Sequence, residues 1–132
     1  MKGWIGVDFD GTLARYDGWV SPTHCGEPIG PMVSRVKSWL AEGREVRVFT
    51  ARVFPITQVI STGGDDYRKY GLGHESAVAA AVAIQAWCAA HIGAVLPITC
   101  VKDYGMIELY DDRAVQVRPN TGELVGNSTR GL

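Results

Sequence analysis

The sequence has too few cysteines, in the wrong places, for a cross-linked or zinc-stapled fold. Cys25, Cys88 and Cys100 are odd in number and lack CxxC spacing, which argues against a disulfide framework and a cysteine zinc site. Free thiols suit a reducing compartment, so the cytoplasm is the expected location. His24, His74 and His91 have no metal-ligand spacing and read as incidental. An excess of charge of one sign is also missing. A net charge of −1 gives no electrostatic case for nucleic acid or an anionic membrane, and only a local basic patch would leave nucleic acid open. There is no repeat, linker or low-complexity tract. Long hydrophobic runs are scarce as well. Gly3–Val7 is broken at once by Asp8 and Asp10 and does not read as a secretory signal. Ala77–Ile98 has about the length of a bilayer span, ~20 residues. It is dominated by alanine and interrupted by Gln85, His91, Gly93 and Pro97. A buried amphipathic helix is the better reading, and no membrane partner is expected.

What is present is an ordinary globular composition, 46% hydrophobic and 20% charged over 132 residues, which suits a single domain. Gly3–Phe9 is a short apolar run ending in acids and a glycine, as a buried parallel strand would. Residues 12–30 hold glycines and prolines without periodicity and read as a loop or small flap. Pro31 suits the start of a helix whose apolar face is Met32, Val36 and Leu40, and Gly43 is its stop. Glu45–Thr50 is the second strand. A helical turn is expected over Pro55–Ser61, followed by loop. Glu75–Ile92 is an alanine-rich helix, and Ile98–Val101 and Met106–Tyr110 are two further strands. Ala114–Arg118 and Glu123–Val125, around Pro119–Gly122, predict a C-terminal β-hairpin. Strands alternating with helices imply an α/β fold, a parallel sheet with helices on both faces. Four residues between Val101 and Met106 are too few for an ordinary parallel crossover, so the sheet order there stays open.

Ligands of parallel α/β sheets gather beyond the carboxyl ends of the strands. The first strand delivers Asp8, Asp10, Gly11 and Thr12 there, the second Thr50, the third Lys102, and the fourth Asp111 and Asp112. Packed carboxylates repel and raise one another's pKa unless a cation sits among them. Oxygen-only ligands with room for water and phosphate favour Mg2+. Thr50 and Lys102 would hold phosphate oxygens, and a carboxylate beside the metal can attack phosphorus. Gly11 lets the chain turn steeply and brings backbone N–H groups, with Thr12, towards the phosphate. Each piece alone is common; the four in this order, each closing an apolar strand, form a specific signal. Arg15, Tyr16 and Trp19 lie in the flap where they could touch a leaving group. Arg52 follows Thr50 closely enough to reach phosphate, Arg113 balances the acidic pair, and Asp65, Asp66, Arg68 and Lys69 form a solvated charged loop.

VDFDGTLA (Val7–Ala14), VFT (Val48–Thr50), Lys102 and ELYDD (Glu108–Asp112) resemble, in order, the four motifs of the haloacid dehalogenase superfamily. The match runs from Gly3 to about Asp112, and between Val53 and Val101 it is topological only. The resemblance implies a Rossmann-like domain and a magnesium-dependent phosphomonoester hydrolase working through an aspartyl phosphate. It implies Asp8 as nucleophile, Asp10 as general acid and then base, and Thr50 and Lys102 as phosphoryl ligands. The metal would be held by Asp8, the Asp10 main-chain carbonyl and an acid of the fourth motif, Asp112 directly with Asp111 orienting a water. Neither cap insertion point has room for a cap domain, so the substrate, a phosphorylated small molecule or nucleotide, stays unread. Flap residues Tyr16 and Trp19 and loop residues Tyr67, Tyr70 and Leu72 are expected to border the site, the loop at 62–73 as a lid, and a homo-oligomer is expected ahead of a monomer. The alternatives are a nucleotidase or nucleic-acid-end phosphatase, and a non-catalytic phospho-acceptor or regulatory relative.

Overall fold

The computed structural model describes residues 3–54 and 73–126. Four strands form one all-parallel sheet: β1 (Trp4–Asp8), β2 (Glu45–Phe49), β3 (Ile98–Thr99) and β4 (Met106–Tyr110), in spatial order β3-β2-β1-β4. Helices α1 (Gly30–Ala41) and α2 (His74–His91) connect β1 to β2 and precede β3. The expectations for Pro55–Ser61, for Asp65, Asp66, Arg68 and Lys69, for the lid loop with Tyr67, Tyr70 and Leu72, and for the missing cap after Val53 lie largely or wholly outside the described residues.

α1 begins and ends for local reasons. Pro31 occupies its first turn, where no N–H is needed. At the far end Gly43 takes φ +80°. Its N–H donates to the Leu40 carbonyl (3.0 Å) and that of Arg44 to Trp39 (3.0 Å), which closes the helix as a Schellman motif. Met32, Val33 and Val36 are buried, as are Ala77, Ala80, Ile84, Trp87 and Cys88 of α2, each set spaced along one helical face. Among the described residues no helix is long and apolar enough to cross a membrane.

Ile5, Val7 and Phe9 of the first strand and its end, with Val46 and Val48 of β2, form one cluster with the apolar faces of both helices. Alternation along a strand puts these residues on one side of the sheet. Both described helices therefore share a face, which corrects the expectation of helices on the two faces. The reason is directional. The chain steps from β1 to β2 to β3 the same way across the sheet, so right-handed crossovers keep both helices on one side.

The step from β3 to β4 reverses direction and crosses the opposite face, where it is made by residues 100–105 alone. Three strand spacings and the axial offset from Thr99 to Met106 add up to about 20 Å, within the ~23–25 Å reach of seven Cα steps. This resolves the short connection read in the sequence: β3 stops after two residues and the remainder becomes a strap. The strap lies on Trp4, only 2% exposed. The Trp4 indole N–H donates to Asp103 (2.8 Å), its main-chain N–H to the Gly105 carbonyl (2.7 Å), and the Arg47 guanidinium stacks on its ring at 4.5 Å. Nitrogen Nη1 of Arg47 also approaches Asp103 at 3.6 Å.

The C-terminal hairpin is reduced to a turn. A single bridge, Val117 to Leu124, closes Pro119–Gly122, with Arg118 N–H donating to the Glu123 carbonyl (2.8 Å) and Val125 N–H to Gln116 (2.9 Å). Residues 113–126 are exposed throughout. Two lone stems without a third strand or a packed face do not extend a ladder.

Candidate active site

The carboxyl ends of β1 and β4 are adjacent, because Val7 pairs with Tyr110. Chain register alone then brings Asp8 beside Asp111 and Asp112. One carboxylate oxygen from each of the three lies within 4.8 Å of the others. The Thr12 hydroxyl donates to Asp8 Oδ2 at 3.4 Å, and the Arg113 main-chain N–H donates to Asp111 at 2.7 Å. Gly11 makes the approach possible. Its φ is +87°, its N–H donates to the Ala14 carbonyl (2.8 Å), and a Cβ there would stand 2.5 Å from Asp112 Oδ2. A side chain at this position would displace the Asp112 carboxylate.

The Asp8 carboxyl is pushed up to about 8, first by burial, then by repulsion from Asp111 and by its contact with Asp112, with a main-chain hydrogen bond from Phe9 opposing them. A group near 8 is largely protonated at neutral pH and is a poor nucleophile in that form. Three convergent carboxylates, one of them opposed in ionising by its neighbours, are a donor set suited to a hard dication. The residues present fit Mg2+ on that ground.

A groove of about 900 Å³ runs along β4, lined among others by Gly11, Thr12, Arg35, Lys102, Asp111 and Asp112. Lys102, supplied by the strap, lines it with Asp111 and Asp112. Thr50 is 2% exposed and follows Phe49, the register partner of Asp8. Its hydroxyl oxygen accepts the Arg52 main-chain N–H at 3.2 Å, capping a single 3-10 turn, Ala51–Val53. A hydroxyl so used still has its own proton to donate.

Asp10 is placed differently from the other acids. Its carboxylate stands outside the three-acid cluster and accepts Arg52 Nε (2.7 Å) and Nη2 (2.7 Å) on separate oxygens. The expected metal contact from this residue involves its main-chain carbonyl, a different atom. Arg52 is 5% exposed, and its Nη1 donates to the carbonyls of Pro22 (3.1 Å) and His24. Both carbonyls belong to the flap, so residues 12–30 do lie at the carboxyl edge of the sheet. The flap stems touch: Arg15 N–H donates to the Glu27 carbonyl (2.8 Å), and a Cβ on Gly26 would fall 1.9 Å from the Arg15 carbonyl oxygen. From α2, the Trp87 indole donates to the Gly26 carbonyl (2.9 Å) while its ring meets Phe9 edge-on at 5.0 Å. Beneath the flap is a hollow of about 340 Å³ whose walls include Tyr16, Trp19, His24, Cys25 and Arg52.

The sequence reading weighed Arg52 as a phosphate contact without favouring it, and missed its hold on Asp10. A lone arginine after the second strand carried a hint, but its partners sit 42, 30 and 28 positions away. Comparison of the chain with protein-family models, with curated proteins and with solved structures returns no match.

A first test concerns the acids themselves. Metal binding should raise the melting temperature, by an amount set by the ratio of free metal to Kd. Protons compete for Asp8, so the Mg2+-induced shift should be larger at pH 8.5 than at pH 5.5. Differential scanning fluorimetry at the two pH values measures it. No shift at either pH, at millimolar Mg2+, would remove the metal site.

Proposed function

We propose that the protein is a magnesium-dependent phosphomonoester hydrolase of the haloacid dehalogenase type, acting through an aspartyl phosphate on Asp8. The observation that carries this reading is the convergence of Asp8, Asp111 and Asp112 at the carboxyl edge of a parallel sheet, with Asp10 two residues from Asp8 and Lys102 in a groove that Asp111 and Asp112 line. Asp8, Asp111 and Asp112 would hold the ion, with the Asp10 main-chain carbonyl as the further ligand. When bound, Mg2+ would keep Asp8 ionised and neutralise charge on the phosphoryl oxygens.

In this reading Asp8 attacks phosphorus, a bond forms between its oxygen and phosphorus, and the bond to the leaving oxygen breaks. Asp10, an ion pair with Arg52 in the resting protein, would turn one oxygen away from the guanidinium when substrate binds, take up a proton and give it to that oxygen, releasing the alcohol. Water then attacks the phosphorus of the acyl phosphate and passes a proton to Asp10. Inorganic phosphate leaves, and both carboxyl groups return to their starting state. Lys102 and the Thr50 hydroxyl hold phosphoryl oxygens as charge redistributes. The four parts occur in one chain, which favours catalysis over a phospho-acceptor that keeps its phosphoryl group: Asp10 gives the protein its own hydrolytic base.

The experiment is a screen of the purified protein with Mg2+ against diverse phosphomonoesters, including nucleotides and 5′- and 3′-phosphorylated oligonucleotides. Release of phosphate that stops with chelator and returns with Mg2+ is expected. Undiminished release in a metal-free preparation would overturn the assignment.

A further inference from the structure

We propose that Arg52 is a positioning residue that fixes the Asp10 carboxylate and ties it to the flap, so that the state of the flap is transmitted to Asp10. The proposal rests on the phosphatase reading for its kinetic consequence, but not for the physical linkage. One guanidinium makes four hydrogen bonds, two to the separate oxygens of Asp10 and two to the flap carbonyls of Pro22 and His24. Its face lies 5.6 Å from the Trp19 ring centre on the flap and 5.8 Å from that of Phe9 beneath. The side chain is almost wholly buried, and its backbone is set by the turn that Thr50 caps.

Only arginine has this reach. Its planar fork matches a carboxylate on one edge and leaves other N–H groups for the carbonyls, whereas lysine is a point charge that cannot hold both oxygens in a fixed plane. Arg52 also forms a wall of the flap hollow. A group entering between Trp19 and Arg52 therefore meets the residue that orients Asp10. Flap, hollow and Asp10 share one hinge point.

The test uses Arg52→Lys, Asp10→Asn and the double variant in the full chain. Amide hydrogen exchange over residues 15–28 should accelerate severalfold in each single variant. The double variant should exchange no faster than the faster single, because both changes break one linkage. In kinetics, Arg52→Lys should lower kcat/KM for an alkyl phosphate by ~10- to 100-fold, part of the range of general acid help. For p-nitrophenyl phosphate, whose leaving group needs little protonation, the loss should stay within about threefold. In the Asp10→Asn background the Arg52→Lys change should add nothing to that contrast.

Equal losses on both substrates, or unaltered flap exchange in Arg52→Lys, would overturn the proposal. If Arg52→Lys does not fold, Asp10→Asn alone decides it, since flap exchange unchanged in that variant contradicts the linkage. Absence of phosphatase activity in the unsubstituted protein would defeat the functional reading alone, leaving the exchange result to judge the linkage.

Discussion

Asp8→Asn is expected to abolish turnover while making the metal-free protein more stable. The two effects have separate causes in the same carboxyl group. On the proposed phosphatase reading Asp8 supplies the anionic oxygen that attacks phosphorus, which an asparagine amide cannot do, and losing a covalent nucleophile costs at least ~10⁴-fold in kcat. Stability moves the other way, because ionising Asp8 is opposed by burial and by Asp111 and Asp112. The sign follows from linkage. The folded-state value of about 8 lies above the ordinary 3.8, so the folded protein binds more protons than the unfolded chain between those limits. Stability held below about pH 4 is then lost progressively as pH rises towards 8. The amide that replaces the carboxyl group cannot ionise, and it can donate to the acidic pair. The melting temperature of the Asp8→Asn protein should equal or slightly exceed that of the unsubstituted protein at pH 4, with an advantage that grows up to about pH 8. Mg2+ should narrow that advantage, since it binds better to three carboxylates than to two. Thermal melts across this pH range, with and without Mg2+, measure the second effect; phosphate release and acid-stable capture of phosphoenzyme measure the first. Near-normal turnover in the variant would remove Asp8 as nucleophile, and a melting temperature that falls with rising pH relative to the unsubstituted protein would show that Asp8 is not strained by its neighbours.

The parts of the site legible in the sequence were those written locally. Asp8, Gly11, Asp111 and Asp112 each follow an apolar run, and a parallel sheet puts the carboxyl ends of its strands along one edge whatever the detailed order. The β1–β4 pairing then brings the first-strand acid against the fourth-strand pair. Pro31 and Gly43 bracket α1 for the same kind of local reason. The features that escaped depend on separation in space. Alternating strands and helices announce crossovers but not the direction in which each one steps, so the shared helix face could not be read. The strap at 100–105 looked too short for a crossover because strand ends had been placed by hydrophobicity, and β3 proves to be two residues long. Arg52 escaped because nothing in a sequence pairs it with Asp10 or with carbonyls from a flap that has no periodicity. The hairpin reading recognised a turn, but turn chemistry closes a loop without providing the packed face that strands need.

On the proposed phosphatase reading, Asp10→Asn separates acid–base work from nucleophilic work, and its losses should depend on the leaving group. An amide can neither give a proton to the departing oxygen nor take one from water. For alkyl phosphates, whose alkoxides are poor leaving groups, kcat/KM should fall by ~10²–10⁴-fold, the usual worth of general acid help. For p-nitrophenyl phosphate the first step needs little protonation, so kcat/KM should fall far less, by about tenfold or under. The second step still lacks its base in both cases. Phosphoenzyme formed on Asp8 should therefore accumulate with the activated substrate, giving a burst of p-nitrophenol followed by a slow steady rate. The structure adds a complication that the measurement can use. Asp10 holds Arg52 through two 2.7 Å contacts, and an amide can accept from the guanidinium with its oxygen but not with its nitrogen. The variant thus weakens the flap anchor as well, which should appear as a raised KM for substrates that touch the flap. Rapid-quench measurement of the burst isolates the chemical effect, because its amplitude reports trapped phosphoenzyme and does not depend on KM at saturating substrate. Equal falls in kcat/KM for the alkyl and p-nitrophenyl substrates, with no burst, would assign Asp10 to holding the flap and leave the proton transfers to another group.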